Sequence, residues 1–176
     1  MPRFRKICAA ALLLASPFTG TRAEPLQAGQ AAPRFQLTAQ DGTSLDLATR
    51  EGKGWTVLYF YPKAGTPGCT TQACAFRDGI QSIRALNADV FGISTDATED
   101  LAAFHRKHRL NFTLLSDPDA KVTNDYGVKL PVLKMAKRWT FVLDPKLIIR
   151  HIDDQVDPAL DAKTVAETLQ RLQAGP

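Results

Sequence analysis

The sequence predicts an α/β domain with a mixed central sheet, and three observations carry that reading. Residues 55–61, WTVLYFY, are apolar, β-branched or aromatic throughout, as in a strand buried on both faces. Strand-like runs then alternate with segments of helical periodicity as far as residue 172. The chain has 176 residues, 44% of them hydrophobic and 23% charged, which suits one soluble domain and excludes a collagenous, low-complexity or wholly disordered chain.

The elements follow in order. Residues 24–33 read as a lead-in loop. Residues 34–37 and 44–47 flank Ala39-Gln40-Asp41-Gly42, a hairpin signal through Asp-Gly. After the 55–61 strand comes a loop rich in Pro and Gly, 62–68. A helix is expected from about Pro67 to Leu86, with Ala73, Phe76, Ile80, Ile83 and Leu86 near helical spacing. Residues 90–94 form a second buried strand and 98–108 a helix capped by Thr98. Residues 112–115 form a short strand. Ser116-Asp117-Pro118 opens a helical turn towards Tyr126 that Gly127 ends. Residues 129–137 look irregular. Residues 139–143 and 147–152 pair around Asp144-Pro145-Lys146. Residues 158–172 make a closing amphipathic helix, with Leu160, Val165, Leu169 and Leu172 on one side.

The N-terminus reads as an address. Residues 1–6 carry three positive charges, 7–18 are almost unbroken apolar sequence, and Thr21-Arg22-Ala23 places small residues at −3 and −1 of a cleavage site. This is the order of a secretory signal peptide, 1–23, cut before Glu24 to leave a single domain, 24–176. The apolar run of about 12 residues is short of the roughly 20 a membrane-spanning helix needs. Cys8 leaves with the signal. The formal net charge of +4 comes from Arg3, Arg5, Lys6 and Arg22; without them basic and acidic side chains balance. The basic His105-Arg106-Lys107-His108-Arg109 run has no interleaved aromatics and reads as a solvated face, so no nucleic-acid partner is expected.

The chemistry lies at the join of the buried strand and the first helix. Thr66 suits the N-cap and Pro67 the first helical position, which puts Cys69 inside the first turn. Unpaired backbone N–H groups and the helix dipole there favour thiolate over thiol, so Cys69 reads as an activated nucleophile. Cys74 is the second cysteine of the mature chain, in a compartment that permits disulfides. A bridge across five residues closes too small a loop to act as a staple, and reversible redox chemistry explains the pair better. On an ideal helix the two Cα atoms are about 8.7 Å apart, beyond the roughly 7 Å a disulfide tolerates. They cannot join unless the first turns unwind. Two cysteines do not complete a structural zinc site.

These residues resemble a known family. Residues 62–69 match the P-x-x-x-T-x-x-C signature of peroxiredoxins. The string Tyr59-Phe60-Tyr61-Pro62 through Thr66-Pro67-Gly68-Cys69-Thr70, with Cys74 and Phe76-Arg77-Asp78 beyond it, looks like the bacterioferritin comigratory protein (PrxQ) subfamily. Residues 92–96 (GISTD) and 112–117 (FTLLSD) fit as well. The likeness runs from about Leu26 to Leu172. It implies a thioredoxin-like fold and a thiol-dependent peroxidase acting on hydrogen peroxide and organic hydroperoxides. It makes Cys69 the peroxidatic and Cys74 the resolving cysteine, joined in an intramolecular disulfide that a thioredoxin-like dithiol reduces. Thr66 would bond the bound peroxide, Pro62 would shield the pocket from water, and Arg138, at the start of a later strand, would hold thiolate and peroxide. No metal or organic cofactor is implied. A resolving cysteine in the same helix removes the need for a partner chain, so a monomer is expected. Many members carry Glu where this chain has Gln72, which removes a negative charge near the site. With the signal peptide, a periplasmic or otherwise exported enzyme is expected. Two alternatives stand beside it: an exported thiol–disulfide carrier without peroxidase activity, which has no use for Thr66 or Arg138, and a non-enzymatic binding or holdase domain, which has no use for either cysteine.

Overall fold

In the computed structural model, the structure describes residues 25–175; the expected signal peptide and its cleavage site lie outside them. The described residues run β1 (Gln36–Ala39), β2 (Ser44–Asp46), a 3-10 turn (Leu47–Arg50), β3 (Trp55–Phe60), α1 (Pro67–Arg84), β4 (Ala88–Ser94), α2 (Thr98–His108), β5 (Thr113–Ser116), α3 (Lys121–Asp125), β6 (Trp139–Leu143), β7 (Ile149–Asp153) and α4 (Asp161–Gln173). They build the predicted mixed sheet, in the order β2-β1-β5-β4-β3-β6-β7. β3, β4 and β5 are parallel neighbours, and β1, β6 and β7 pair antiparallel to theirs.

The all-apolar reading of β3 is explained by cover on both faces. Val57 and Tyr59 point into one core with Phe76, Ile80 and Ile83 of α1 and Val165 and Leu169 of α4. Leu58 and Phe60 point into the other, with Leu47, Tyr126, Phe141 and Leu143. Period-2 alternation sorts the side chains, but both faces need apolar ones. β3 is thus held between β4 and β6, and the loop after it starts from a fixed point.

Several expectations shift. Leu47 leaves the strand for a 3-10 turn, because the Asp46 carboxylate accepts the Ala48 N–H and caps it. Thr98 is not the cap of α2: Ala97 takes that position without a side-chain bond. α3 starts only at Lys121, since Ala120 adopts a left-handed φ of 55°. The Asp117 carboxylate then accepts the Val122 and Thr123 N–H groups, so the acidic residue of the Ser-Asp-Pro signal caps a helix begun four residues later. α4 starts at Asp161 rather than Pro158. Residues 129–137 are irregular apart from one bridge, Lys129 to Ala136.

Candidate active site

The loop between β3 and α1 is fixed at several points. The Ala64 N–H donates to the Asp96 carboxylate at 2.8 Å, tying the loop to the end of β4. Gly65 takes φ 78°, a left-handed turn that favours glycine. Half-buried Pro62 opens the loop and half-buried Thr66 closes it. Thr66 has the extended backbone of an N-cap, φ −74° and ψ 152°, but its hydroxyl does not cap the helix. It donates instead to the Lys63 carbonyl at 3.0 Å, across the turn it ends.

Cys69 lies in the first turn of α1, as its spacing from Thr66 and Pro67 requires, and is 2% exposed. Arg138, one residue before β6, donates from Nη2 to its sulfur at 3.3 Å. The antiparallel pairing of β6 with β3 places Trp139 opposite Phe60, which brings Arg138 to the end of β3 from which the loop departs. Gly68 makes room for it: a Cβ there would meet Arg138 Nη2 at 3.3 Å. The neighbouring cation turns elsewhere, with Lys137 Nζ 5.4 Å from the centre of the Trp139 ring. Of two adjacent basic residues, only Arg138 engages the sulfur.

Behind Arg138 is a buried polar chain. Its Nη1 donates to Gln72 Oε1. Gln72 Nε2 donates to Asp161 Oδ2 at 2.6 Å, and Thr140 Oγ1 donates to the same oxygen at 2.9 Å. Gln72, Thr140 and Asp161 are each 1% exposed or less. Burial pushes the Asp161 carboxyl up to about 6, against the pull of its two hydrogen bonds. Burial also raises the Tyr59 and Tyr61 phenols, which lie in the same core as Cys69 and stay neutral.

Of the residues singled out from sequence, Cys69 and Arg138 meet, while Pro62 and Thr66 sit on the loop leading to them. Cys74 is free, half-buried and one and a half turns along the unbroken α1 from Cys69, which is also free. Asp161 and Thr140 were not singled out. No local signal marks them, because Asp161 is 89 residues from Gln72 and became the first residue of a helix expected to start earlier. Gln72 itself brings no negative charge to the site; a carboxylate stands one hydrogen bond further back, on Asp161.

A cysteine in the first turn of a helix, set against a buried strand and met by a guanidinium from an antiparallel neighbour, sits in a chain whose class sequence and structure comparison identify. The sequence profile of the AhpC/TSA family matches residues 28–152, and the chain belongs to that family. Within it, the chain is a peroxiredoxin of the bacterioferritin comigratory protein (PrxQ) subfamily. It is 44% identical over 136 residues to peroxiredoxin Bcp of Escherichia coli K12, an alignment covering 74% of this chain and 86% of that one. Peroxidoxin BcpB of Mycobacterium tuberculosis superposes with a TM-score of 0.78 at 34% identity, covering 84% of this chain and 98% of that one. The bacterioferritin comigratory protein of Xanthomonas campestris, studied for its alkyl peroxide reduction activity, superposes with a TM-score of 0.74 at 28% identity, covering 78% and 91%. The fold is thioredoxin-like, and the protein is an oxidoreductase, a thiol-dependent peroxidase.

Proposed function

We propose that Cys69 is the peroxidatic and Cys74 the resolving cysteine of this peroxidase, in one intramolecular cycle. The observation that carries the reading is the Arg138 guanidinium on the Cys69 sulfur in the first turn of α1. A cation and a helix N-terminus both favour the thiolate. The thiolate attacks the terminal oxygen of a hydroperoxide. An S–O bond forms, the O–O bond breaks, and the departing oxygen takes a proton to leave as water or alcohol. Arg138 and the first-turn amides stabilise the developing charge, and the Thr66 hydroxyl turns from Lys63 to the peroxide. Pro62 keeps water from the pocket.

The first turns of α1 then unwind, and the Cys74 sulfur attacks the Cys69 sulfenic acid, forming the disulfide and releasing water. A thioredoxin-like dithiol reduces the bridge by exchange. The substrates are hydrogen peroxide and organic hydroperoxides, the latter supported by similarity to the Xanthomonas campestris protein. The enzyme acts as an exported, periplasmic monomer after removal of residues 1–23. Intact mass of the protein recovered from a periplasmic fraction tests the address; a chain still starting at Met1 in the cytoplasm refutes it.

Stopped-flow mixing of reduced protein with one equivalent of hydrogen peroxide tests the chemistry. Fast loss of both thiols and a mass fitting one internal disulfide are expected. Cys69→Ser abolishes the reaction, and Cys74→Ser stops at the sulfenic acid. Oxidation no faster than that of a free thiol overturns the reading and favours a disulfide carrier.

A further inference from the structure

The Gln72 amide stands between a carboxylate and a guanidinium, and these two neighbours leave it one orientation. Arg138 has only donors, so it needs the amide oxygen; ionised Asp161 has only acceptors, so it needs the amide nitrogen. Turning the amide over sets oxygen against carboxylate and NH2 against guanidinium, and breaks both bonds. Thr140 donates to the same Asp161 oxygen and fixes the carboxylate in turn. A glutamate at position 72 would serve Arg138 but would face Asp161 as a second carboxylate. Glutamine and aspartate are therefore a matched pair here, joined across 89 residues of chain.

We propose that Asp161 is a positioning residue: as a carboxylate it orients the Gln72 amide, and through it holds the Arg138 guanidinium on the Cys69 sulfur. The inference rests on Cys69 being the reacting cysteine.

A proton on Asp161 releases the arrangement. The acid becomes a donor, the amide no longer has one preferred orientation, and Arg138 loses an assured acceptor. The charged and titratable groups that act on Asp161 are Arg138 beside β6, Asp153 of β7 and Tyr59 of β3. Arg138 pulls the Asp161 carboxyl down and Asp153 pushes it up; burial outweighs both and brings it to about 6. The Tyr59 phenol is raised by burial and stays neutral through this range. The other Asp161 oxygen, Oδ1, is buried without a partner, so once Gln72 turns away the Thr140 hydroxyl alone still bonds the group. The site is thus held in order above about pH 6 and loosened below it.

The test uses the Cys74→Ser protein, in which the first oxidation is seen alone. The second-order rate of Cys69 oxidation by hydrogen peroxide, and of its alkylation by iodoacetamide, is followed from pH 5 to 8. Asp161→Asn keeps an acceptor but cannot ionise. The wild-type to Asp161→Asn rate ratio is expected at about 3- to 10-fold at pH 7.5 and to approach 1 at pH 5. Gln72→Glu is expected to slow oxidation at least 10-fold. Adding Asp161→Asn to it reverses donor and acceptor and restores the rate to within about 3-fold, a rescue that a merely structural role does not give. A ratio flat from pH 5 to 8, or a double variant no faster than Gln72→Glu, overturns the proposal. Mass spectrometry locates the modified residue: oxidation away from Cys69 in the parent protein removes the functional reading and this one with it, whereas a flat ratio with Cys69 oxidised removes this one alone.

Discussion

The two parts of α1 are held by different forces. Its last turns, from Phe76 onward, are held by apolar burial: Phe76 and Ile83 are fully buried, Ile80 is 1% exposed, and Phe76 stacks on Tyr59 with centroids 4.7 Å apart. α4 lies close against them, Gly79 over Ala162. Its first turns, from Pro67 to Cys74, contain Pro, Gly and two Thr, residues that help start a helix or weaken one. Polar contacts supplement the burial of Cys69 and Ala73 there: Arg138 on Cys69 and on Gln72, and Gln72 on Asp161. Apolar burial does not respond to oxidation of a sulfur, whereas a charge-assisted contact to that sulfur does. Such a division suits the proposed cycle, in which one end of the helix opens and the other stays docked.

The largest expected effect breaks the docked part. Phe76→Ala leaves a cavity beneath Tyr59 and is expected to cost about 3–5 kcal/mol of stability, read from denaturant unfolding. A loss under 1 kcal/mol would mean that the last turns are not the anchor. Next come the first turns. Arg138→Ala removes the donor on the sulfur and is expected to slow peroxide reduction about 10²–10³-fold with little change in unfolding midpoint. A rate within threefold of wild type would remove Arg138 from the chemistry.

The third effect sets stability against function within the same polar chain. The Asp161 carboxyl titrates near 6 in the folded protein against 3.8 ordinarily, so between those values the native state holds the extra proton. Stability then falls as pH rises from about 4 to about 6, and above 6 the full cost stands, on the order of 3 kcal/mol. Asp161→Asn is expected to raise the melting temperature by several degrees at pH 7.5 and by almost nothing at pH 4. An equal shift at both pH values would show that the buried charge is not the cause.

What was legible in the sequence follows the same division. Local patterns fixed β3, α1 and the place of Cys69, because burial on two faces and an N-terminal Thr-Pro leave short-range marks. The role of the Thr66 hydroxyl was not legible: the backbone is that of a cap, but the Lys63 carbonyl is the nearer partner across the turn that Gly65 makes possible. The resemblance points to Arg138, but the physical reason that it and not Lys137 reaches the sulfur lies in the strand pairing and the room at Gly68. Asp161 left no mark at all, since its meaning depends on a register between α1, α4 and β6 that no short segment contains.

The smallest effect separates the two parts of α1 most cleanly. Thr71 is exposed, and its hydroxyl donates to the Pro67 carbonyl at 3.1 Å, drawing on a group of the first turn. Thr71→Ala is expected to favour the closed first turns by about 0.5 kcal/mol. If those turns must open for Cys74 to reach Cys69, disulfide formation slows about twofold while the preceding oxidation by peroxide keeps its rate. Ser82 is exposed in the docked part, and Ser82→Ala brings a similar gain in helix propensity there. It should leave both phases unchanged, because those turns stay folded throughout. Two-phase stopped-flow traces of the pair read this directly. A second phase slowed equally by both substitutions would mean that the whole helix opens, and one slowed by neither would mean that the first turns are already open before the cysteines react.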